Sequence, residues 1–328
     1  MTFSLPERID PRHCIVTKQY AVYTPPMHEM IKQVGDWIEQ QSPGGYVYGA
    51  SRLGKTRCVQ WYVAKVLEER FNAAVPLVVW NRRPDSQTSE AGFWHQILLA
   101  SRFEFAHPTK PPKKAEAIYL CKHRFIAIAN NAQRNYVVLL IDEAQDLTFR
   151  EWKWLVGLQN DLGYEGEGYL LSVFSVGSHQ LNYRHEYMAS TGNAHIAARF
   201  MAAHARFHGL RSPEEIEYVL NGYDMDSEWP PDSGVPYLQH FAPDQFAAGR
   251  RLAGSAGQLW AALVELAPGT AGKHLEFPMQ HVAKATEAIL FQLASGGDWE
   301  EVTCYRNWLC ELAKANFSDH MRIISVSS

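Results

Sequence analysis

The sequence predicts an α/β fold: a parallel central sheet between two layers of helices, followed by a smaller helical domain. Three observations predict it. Residues 137–145 read VVLLIDEAQ, five apolar and mostly β-branched residues followed at once by two carboxylates. A run that short and that apolar is a strand buried on both faces of a parallel sheet, and the acids at its end need a cation beside them. Residues 49–56 read GASRLGKT and fit the phosphate-loop pattern G-x-x-x-x-G-K-[ST]. Strand-like and helix-like segments also alternate as far as residue 210, which is the pattern of βαβ units.

Taken in order, residues 1–23 read as an irregular arm. Thr24 and Pro25 supply an N-cap and a first-turn proline for a helix to about Gln40. Met27, Ile31, Val34 and Ile38 share its apolar face. SPGG at 42–45 breaks that helix; 46–48 is a short strand, 49–54 the loop after it, and 55–71 one helix. Residues 75–80 are the next strand, 81–88 a polar loop and 89–101 a helix. HPTKPPKK at 107–114 is an exposed loop, because its prolines exclude regular helix. A helix over 115–133 leads into the acidic strand, and another spans 149–162. Residues 169–176 form a buried strand, a His- and Ala-rich helical stretch runs to about Ala203, and 205–209 closes the sheet. Ser212, Pro213, Glu214 and Glu215 then open a helix with a cap, a proline and two acids facing its dipole. The expected organisation is an arm over 1–23, an α/β domain over 24–210, and a helical lid and C-terminal region over 211–328.

Composition sets bounds on function. Of 328 residues, 46% are hydrophobic and 20% charged, and the net charge is −4, so any contact with nucleic acid must come from a local patch. No apolar run approaches membrane-spanning length. Five dispersed cysteines without a C-x-x-C pair or a signal peptide suggest reduced thiols and a cytoplasmic protein. Cys304 and Cys310 fall on a helical pattern and are expected to be buried. None of the fourteen histidines is spaced like a metal site. Tyr46, Tyr48, Trp61, Trp152 and Trp154 are expected in the core rather than as base-stacking platforms.

In the phosphate loop, Gly49, Ala50, Ser51, Arg52, Leu53 and Gly54 let backbone amides turn inward around phosphate, and the following helix adds its positive end. Lys55 neutralises the β- and γ-phosphates and Thr56 ligates Mg²⁺. Asp142 holds Mg²⁺, and Glu143 orients and polarises the attacking water. The alternative, a pair of surface acids at a strand end, conflicts with the apolar run that places them at the C-terminal edge of the sheet. Gln145 either touches the γ-phosphate or caps a turn. Ser178 is either the polar group beside the γ-phosphate or an ordinary turn residue. Arg199, in AARF before the last strand, either meets transition-state charge or makes a surface salt bridge.

The order GASRLGKT, VVLLIDEAQ, FSVGSHQL, AARF and PEEI resembles the AAA+ ATPases of the initiator branch, which are P-loop NTPases. Within them it resembles the transposition regulators TnsC and TniB, with IstB and MuB more distant, over about residues 20–220. The resemblance implies that Ser178 is the sensor residue and Arg199 the trans-acting arginine finger. The family's lid arginine is left unassigned between Arg250 and Arg251, in AAGRRLAGSAGQLW. It further implies an ATP- and Mg²⁺-dependent switch with nucleotide at subunit interfaces. Such a protein assembles as a ring or filament on double-stranded DNA, links a target-selecting partner to a transposase, and has no membrane role.

Three other functions compete. A translocating helicase needs two ATPase domains, and one set of motifs is present. A small-molecule kinase would not usually carry a trans arginine. A helicase loader has the same core and separates from a transposition regulator only by its partner. For DNA, the window from Arg102 to Arg124 holds six cations (Arg102, Lys110, Lys113, Lys114, Lys122, Arg124) against two acids. Lys110, Lys113 and Lys114 are the expected contacts to phosphate, with Arg82 and Arg83 next. The alternative is a solvated loop kept soluble by lysines.

Overall fold

The computed structural model describes residues 5–83, 89–163, 168–268 and 275–327, with side chains as far as residue 324. Of the polar loop expected over 81–88, residues 84–88 lie outside the described residues. The chain divides into two compact units, one of Met1–His28, Ala50–Gly54 and His208–Ser328, the other of Glu29–Gly49 and Lys55–Phe207.

The second is the sheet unit. Its strands are β1 (Gly44–Tyr48), β2 (Leu77–Asn81), β3 (Tyr136–Asp142), β4 (Leu170–Gly177) and β5 (His204–Arg206). They lie in the order β2-β3-β4-β1-β5 and every pairing is parallel. Consecutive strands must therefore cross over, and the intervening helices cover the faces. Val137 to Ile141 are fully buried on β3, as their unbroken apolar run requires. Helices Glu90–Ala100, Lys114–Asn131 and Phe149–Gly163 contribute Phe93, Trp94, Phe125, Trp152 and Leu155 to the same core. Each large apolar side chain so buried contributes about 1.5–3 kcal/mol. The expected α/β architecture with a parallel sheet and a helical C-terminal part is what the chain adopts.

Two elements differ from expectation in this unit. The helix over 55–71 is two, Lys55–Trp61 and Val63–Phe71, because Tyr62 departs to φ −123°. The backbone bonds Tyr62 N–H to Cys58 O and Val66 N–H to Tyr62 O persist across the kink. Neither Pro nor Gly announces the kink in the sequence. The His- and Ala-rich stretch is likewise two helices, Gln180–Ser190 and Ala194–Phe200, with Gly192 at φ +76° between them.

The other, helical unit has its own core, with Leu220, Tyr223, Phe241, Leu259, Ile289 and Trp308 at its centre. Helix Pro213–Asn221 begins as its residues dictate: the Ser212 side chain accepts the Glu215 N–H, Pro213 stands in the first turn, and two acids face the dipole. The segment read as an irregular arm is packed into this core through Ile9, Ile15, Tyr20 and Val22, and includes the short helix Cys14–Thr17. The apolar residues alone are too sparse there for a period to show. Cys304 is only half-buried and Cys310 is exposed, so the expectation of two buried thiols is corrected: the helix Tyr305–Lys314 turns Trp308 and Leu312 inward instead. No helix among the described residues is long and apolar enough to cross a membrane.

Candidate nucleotide site

Parallel register brings the chemistry to one edge of the sheet. Tyr48 pairs with Gly177, and Asn81 with Asp142, so Gly49, Asp142, Glu143 and Ser178 all stand at the C-terminal ends of their strands. In open parallel sheets this is the edge where ligands bind. Gly49 has no room for a side chain, because a Cβ would meet Phe207 O at 2.4 Å. Lys55 opens its helix and Nζ donates to Gly49 O at 2.9 Å. Between these ends the chain turns through two residues of positive φ, Arg52 (65°) and Gly54 (116°). Within the helical unit, Arg52 O accepts the Gln280 N–H.

Asp142 is 1% exposed. Its Oδ1 accepts the Glu143 N–H at 3.0 Å, while Oδ2 is buried with no hydrogen-bond partner. Burial raises the Asp142 carboxyl above the usual range, and the Glu143 charge adds to the rise. The Thr56 side chain, the Glu143 N–H and Lys55 work against it. Lys55 is displaced the other way, to about 8, because burial outweighs the pull of Glu143 and Asp142. Burial thus sets the direction of both shifts, against the charge that Lys55 and Asp142 lend each other. The donor set of Asp142 Oδ2, Asp142 Oδ1 and the Thr56 hydroxyl is hard oxygen and fits Mg²⁺ accompanied by phosphate; Lys55 fits the phosphate itself. Among the described residues no cluster of three His, Cys, Asp or Glu forms a metal site of another kind.

Glu143 sits in the left-handed region (φ 54°, ψ 36°), a conformation costing on the order of 1–2 kcal/mol in a residue with a Cβ. Its carboxylate accepts from Gln145 Nε2 at 2.6 Å. Gln145 Oε1 in turn accepts the Ser178 N–H at 3.0 Å. The Ser178 hydroxyl accepts the Gln180 N–H at 3.3 Å, so this serine does the work of a turn residue while standing at the strand edge.

Arg199 is not brought to this edge. Its Nη1 donates to Asn160 Oδ1 at 2.8 Å, and its carbonyl lies against Gly44, where a Cβ would meet Arg199 O at 2.9 Å. Gly44 begins β1 and Gly49 follows its end, so the two are separated by five strand steps, about 16 Å. The partner Asn160 carried no signal in the sequence; its role comes from helix Phe149–Gly163 passing beside that of Arg199.

Of the basic window, Lys110 and Lys113 are exposed, and Lys114 is the first residue of its helix rather than part of the loop. Lys114 Nζ pairs with Glu90 at 2.6 Å. Arg124 is turned onto Ser101 O at a helix end. Arg82 is corrected outright as a second DNA candidate: it is 1% exposed and pairs with Glu151 at 2.9 Å, both side chains fully buried. In the helical unit Arg250 pairs with Glu300 and Arg251 lies 3.9 Å from the Phe246 ring. Tyr46 and Trp152 are buried as expected, but Trp61 is 45% exposed.

Residues 38–184 match the family model of an AAA domain. Solved structures share the fold at low identity. The Aeropyrum pernix ORC2 protein is 12% identical, with 98% of this chain and 72% of that one covered and a TM-score of 0.54. A Walker-type ATPase of Pyrococcus abyssi is 12% identical, with 92% and 75% covered and a TM-score of 0.50. Drosophila ORC bound to DNA is 14% identical, with 98% and 71% covered and a TM-score of 0.50. No curated protein sequence matches the chain. The fold is that of the AAA+ P-loop NTPases, and the match of residues 38–184 to an AAA domain supports ATPase activity.

Proposed function

We propose that this ATPase is a nucleotide-gated regulator of transposition that oligomerises on double-stranded DNA and links a target-selecting protein to a transposase. The observation that carries the nucleotide half is geometric: the sheet register sets Gly49, Asp142 and Glu143 at one edge, with Lys55 Nζ on Gly49 O and Asp142 Oδ2 buried without a donor. Residues 49–54 wrap the phosphates with backbone amides and Lys55 neutralises them. Thr56 and Asp142 hold Mg²⁺, which when bound neutralises charge on the phosphate oxygens. Glu143 accepts a hydrogen bond from the attacking water and orients it, and Ser178 stands at the same edge as a donor to the terminal phosphate.

The placement of Arg199 supports self-association. Held about 16 Å along β1 from its own phosphate loop, it serves a neighbouring subunit's nucleotide. The transposition reading rests on the order of GASRLGKT, VVLLIDEAQ, FSVGSHQL, AARF and PEEI. A second reading, a helicase loader, is favoured by the likeness to initiator proteins, one of them solved on DNA; adding a candidate transposase or a candidate helicase separates the two.

Arg199→Ala is expected to bind ATP as the wild type does and to hydrolyse it about 10³-fold more slowly, the lower end of the range for a trans arginine. Mixed with Lys55→Ala subunits it regains turnover, since each variant supplies what the other lacks at a shared interface. Absence of rescue at every mixing ratio counts against the shared site. For DNA, Lys110, Lys113 and Lys114 changed together to Ala weaken duplex binding and lower the slope of log affinity on log salt by about two to three. Lys114, paired with Glu90, contributes least. An unchanged slope removes this loop from the DNA surface.

A further inference from the structure

Gln145 occupies a position that neither the phosphate loop nor the acidic pair explains. It lies in the short turn Ala144–Asp146 directly after Glu143, and its amide makes two hydrogen bonds of opposite kind. The NH₂ end donates to Glu143 Oε2 at 2.6 Å, and the carbonyl end accepts the Ser178 N–H at 3.0 Å. The orientation is dictated by its neighbours: turned over, the amide would set an oxygen against a carboxylate and an NH₂ against an N–H. The space is also reserved. A Cβ on Gly177 would lie 2.3 Å from Gln145 Oε1, so β4 ends in glycine where this amide crosses it. Ser178 is tied at the same time to helix Gln180–Ser190 through its hydroxyl and its carbonyl. One side chain thus connects the carboxylate on β3 to the end of β4.

Resting on the reading of Glu143 as the water-orienting group, we propose that Gln145 is the positioning residue for that carboxylate, holding it at a place set by the end of β4 rather than by its own flexible side chain. Glu143 has three rotatable bonds and a left-handed backbone, and the Gln145 amide is what its carboxylate is hydrogen-bonded to. A shift of Ser178 moves the amide, and the amide moves the carboxylate. Gln145 therefore governs the rate of hydrolysis and not the affinity for nucleotide. A base displaced by about 1 Å loses on the order of 10²-fold in rate.

The test compares Gln145→Met, Gln145→Glu, Gly177→Ala and Glu143→Gln in the full chain, measuring ATP affinity, KM and kcat. Gln145→Met keeps the shape and removes both hydrogen bonds; Gln145→Glu keeps the acceptor for Ser178 but sets a second carboxylate against Glu143. Gly177→Ala reaches the same amide from the β4 side. All three are expected to lower kcat about 10²-fold with affinity and KM changed less than about threefold. In a Glu143→Gln background, adding Gln145→Met is expected to change nothing further, because the group it positions is already gone. Wild-type kcat in both Gln145 variants, or a loss of ATP affinity as large as the loss of kcat, overturns the proposal. Should Gln145→Met not fold, Gln145→Glu and Gly177→Ala decide it by the same criteria. Normal turnover by Glu143→Gln defeats instead the underlying assignment of Glu143, and so the two failures are told apart.

Discussion

Each unit of this chain buries an aspartate, and the two aspartates differ in what surrounds them. In the sheet unit, Asp142 is 1% exposed and its Oδ2 meets no donor. In the helical unit, Asp224 is fully buried, yet its Oδ1 accepts the Leu252 N–H and its Oδ2 the Ala253 N–H, both at 2.9 Å. Burial raises both carboxyls, Asp224 to about 6. One is a charge left incomplete at the edge of a sheet; the other is a clamp that satisfies two backbone donors at the start of the turn Leu252–Ser255. A buried carboxylate with one oxygen unpaired is open to a ligand that completes it, and one with a backbone donor on each oxygen is architecture.

Exchanging each carboxyl for its amide tests that contrast. Asp142→Asn is expected to lower ATP turnover about 10³-fold, corresponding to several kcal/mol of transition-state stabilisation lost with the metal site. Its melting temperature without nucleotide does not fall, since the amide keeps the Glu143 N–H and relieves a buried charge. Asp224→Asn keeps full turnover. If Asp142→Asn were instead strongly destabilised with turnover per folded molecule unchanged, Asp142 would be as structural as Asp224 and the contrast would collapse.

The two units also differ in how far their sequences disclosed them. The sheet unit was legible because its elements carry local signals. VVLLI is too apolar for a half-exposed strand, the capping residues before helices are short polar side chains, and the phosphate loop has a fixed spacing. Ser212 and Pro213 announced their helix for the same reason. What stayed hidden depends on contacts between residues distant in the chain. Arg82 looked like a surface cation until Glu151, 69 residues on, was found to pair with it. Residues 5–23 looked irregular because their order comes from the helical core, as when Tyr20 donates to Glu287 at 2.6 Å and meets the Tyr223 hydroxyl at 3.0 Å. At the candidate site, the motif spacing points to Lys55, Thr56, Asp142 and Glu143, whereas the two hydrogen bonds of Gln145 depend on the register of β3 against β4.

The smallest effect expected is the most discriminating, and it concerns pH in the helical unit. His13 and His281 are fully buried there, and burial lowers each to about 4. The neighbouring charges are His240, which lowers His13 further, and Asp10, which opposes it; around His281, the charges of His320, Lys284 and Arg52 all lower it. An unfolded histidine takes a proton near 6.5, so between about 4 and 6.5 the unfolded chain binds more protons. Stability from these two is complete above 6.5 and is lost as pH falls toward 4, by up to about 3 kcal/mol each. Asp224 has the opposite sign. Its folded value of about 6 lies above the unfolded 3.8, so the folded chain binds more protons in that window and stability rises as pH falls, offsetting about 3 kcal/mol of the loss. Asp224→Asn removes the offset. At about pH 7 the amide relieves the buried charge but offers one acceptor to two N–H groups, costing about 1–3 kcal/mol. The two terms nearly cancel, and the variant is expected within about 1 kcal/mol of the parent. At about pH 5 the Asp224→Asn protein should be the less stable by about 1–2 kcal/mol, since the parent carboxyl has by then gained its proton. Urea midpoints at the two pH values measure the difference. Parallel profiles would mean that Asp224 titrates as an ordinary carboxylate, and the two buried aspartates would no longer share the common cause from which their different roles were argued.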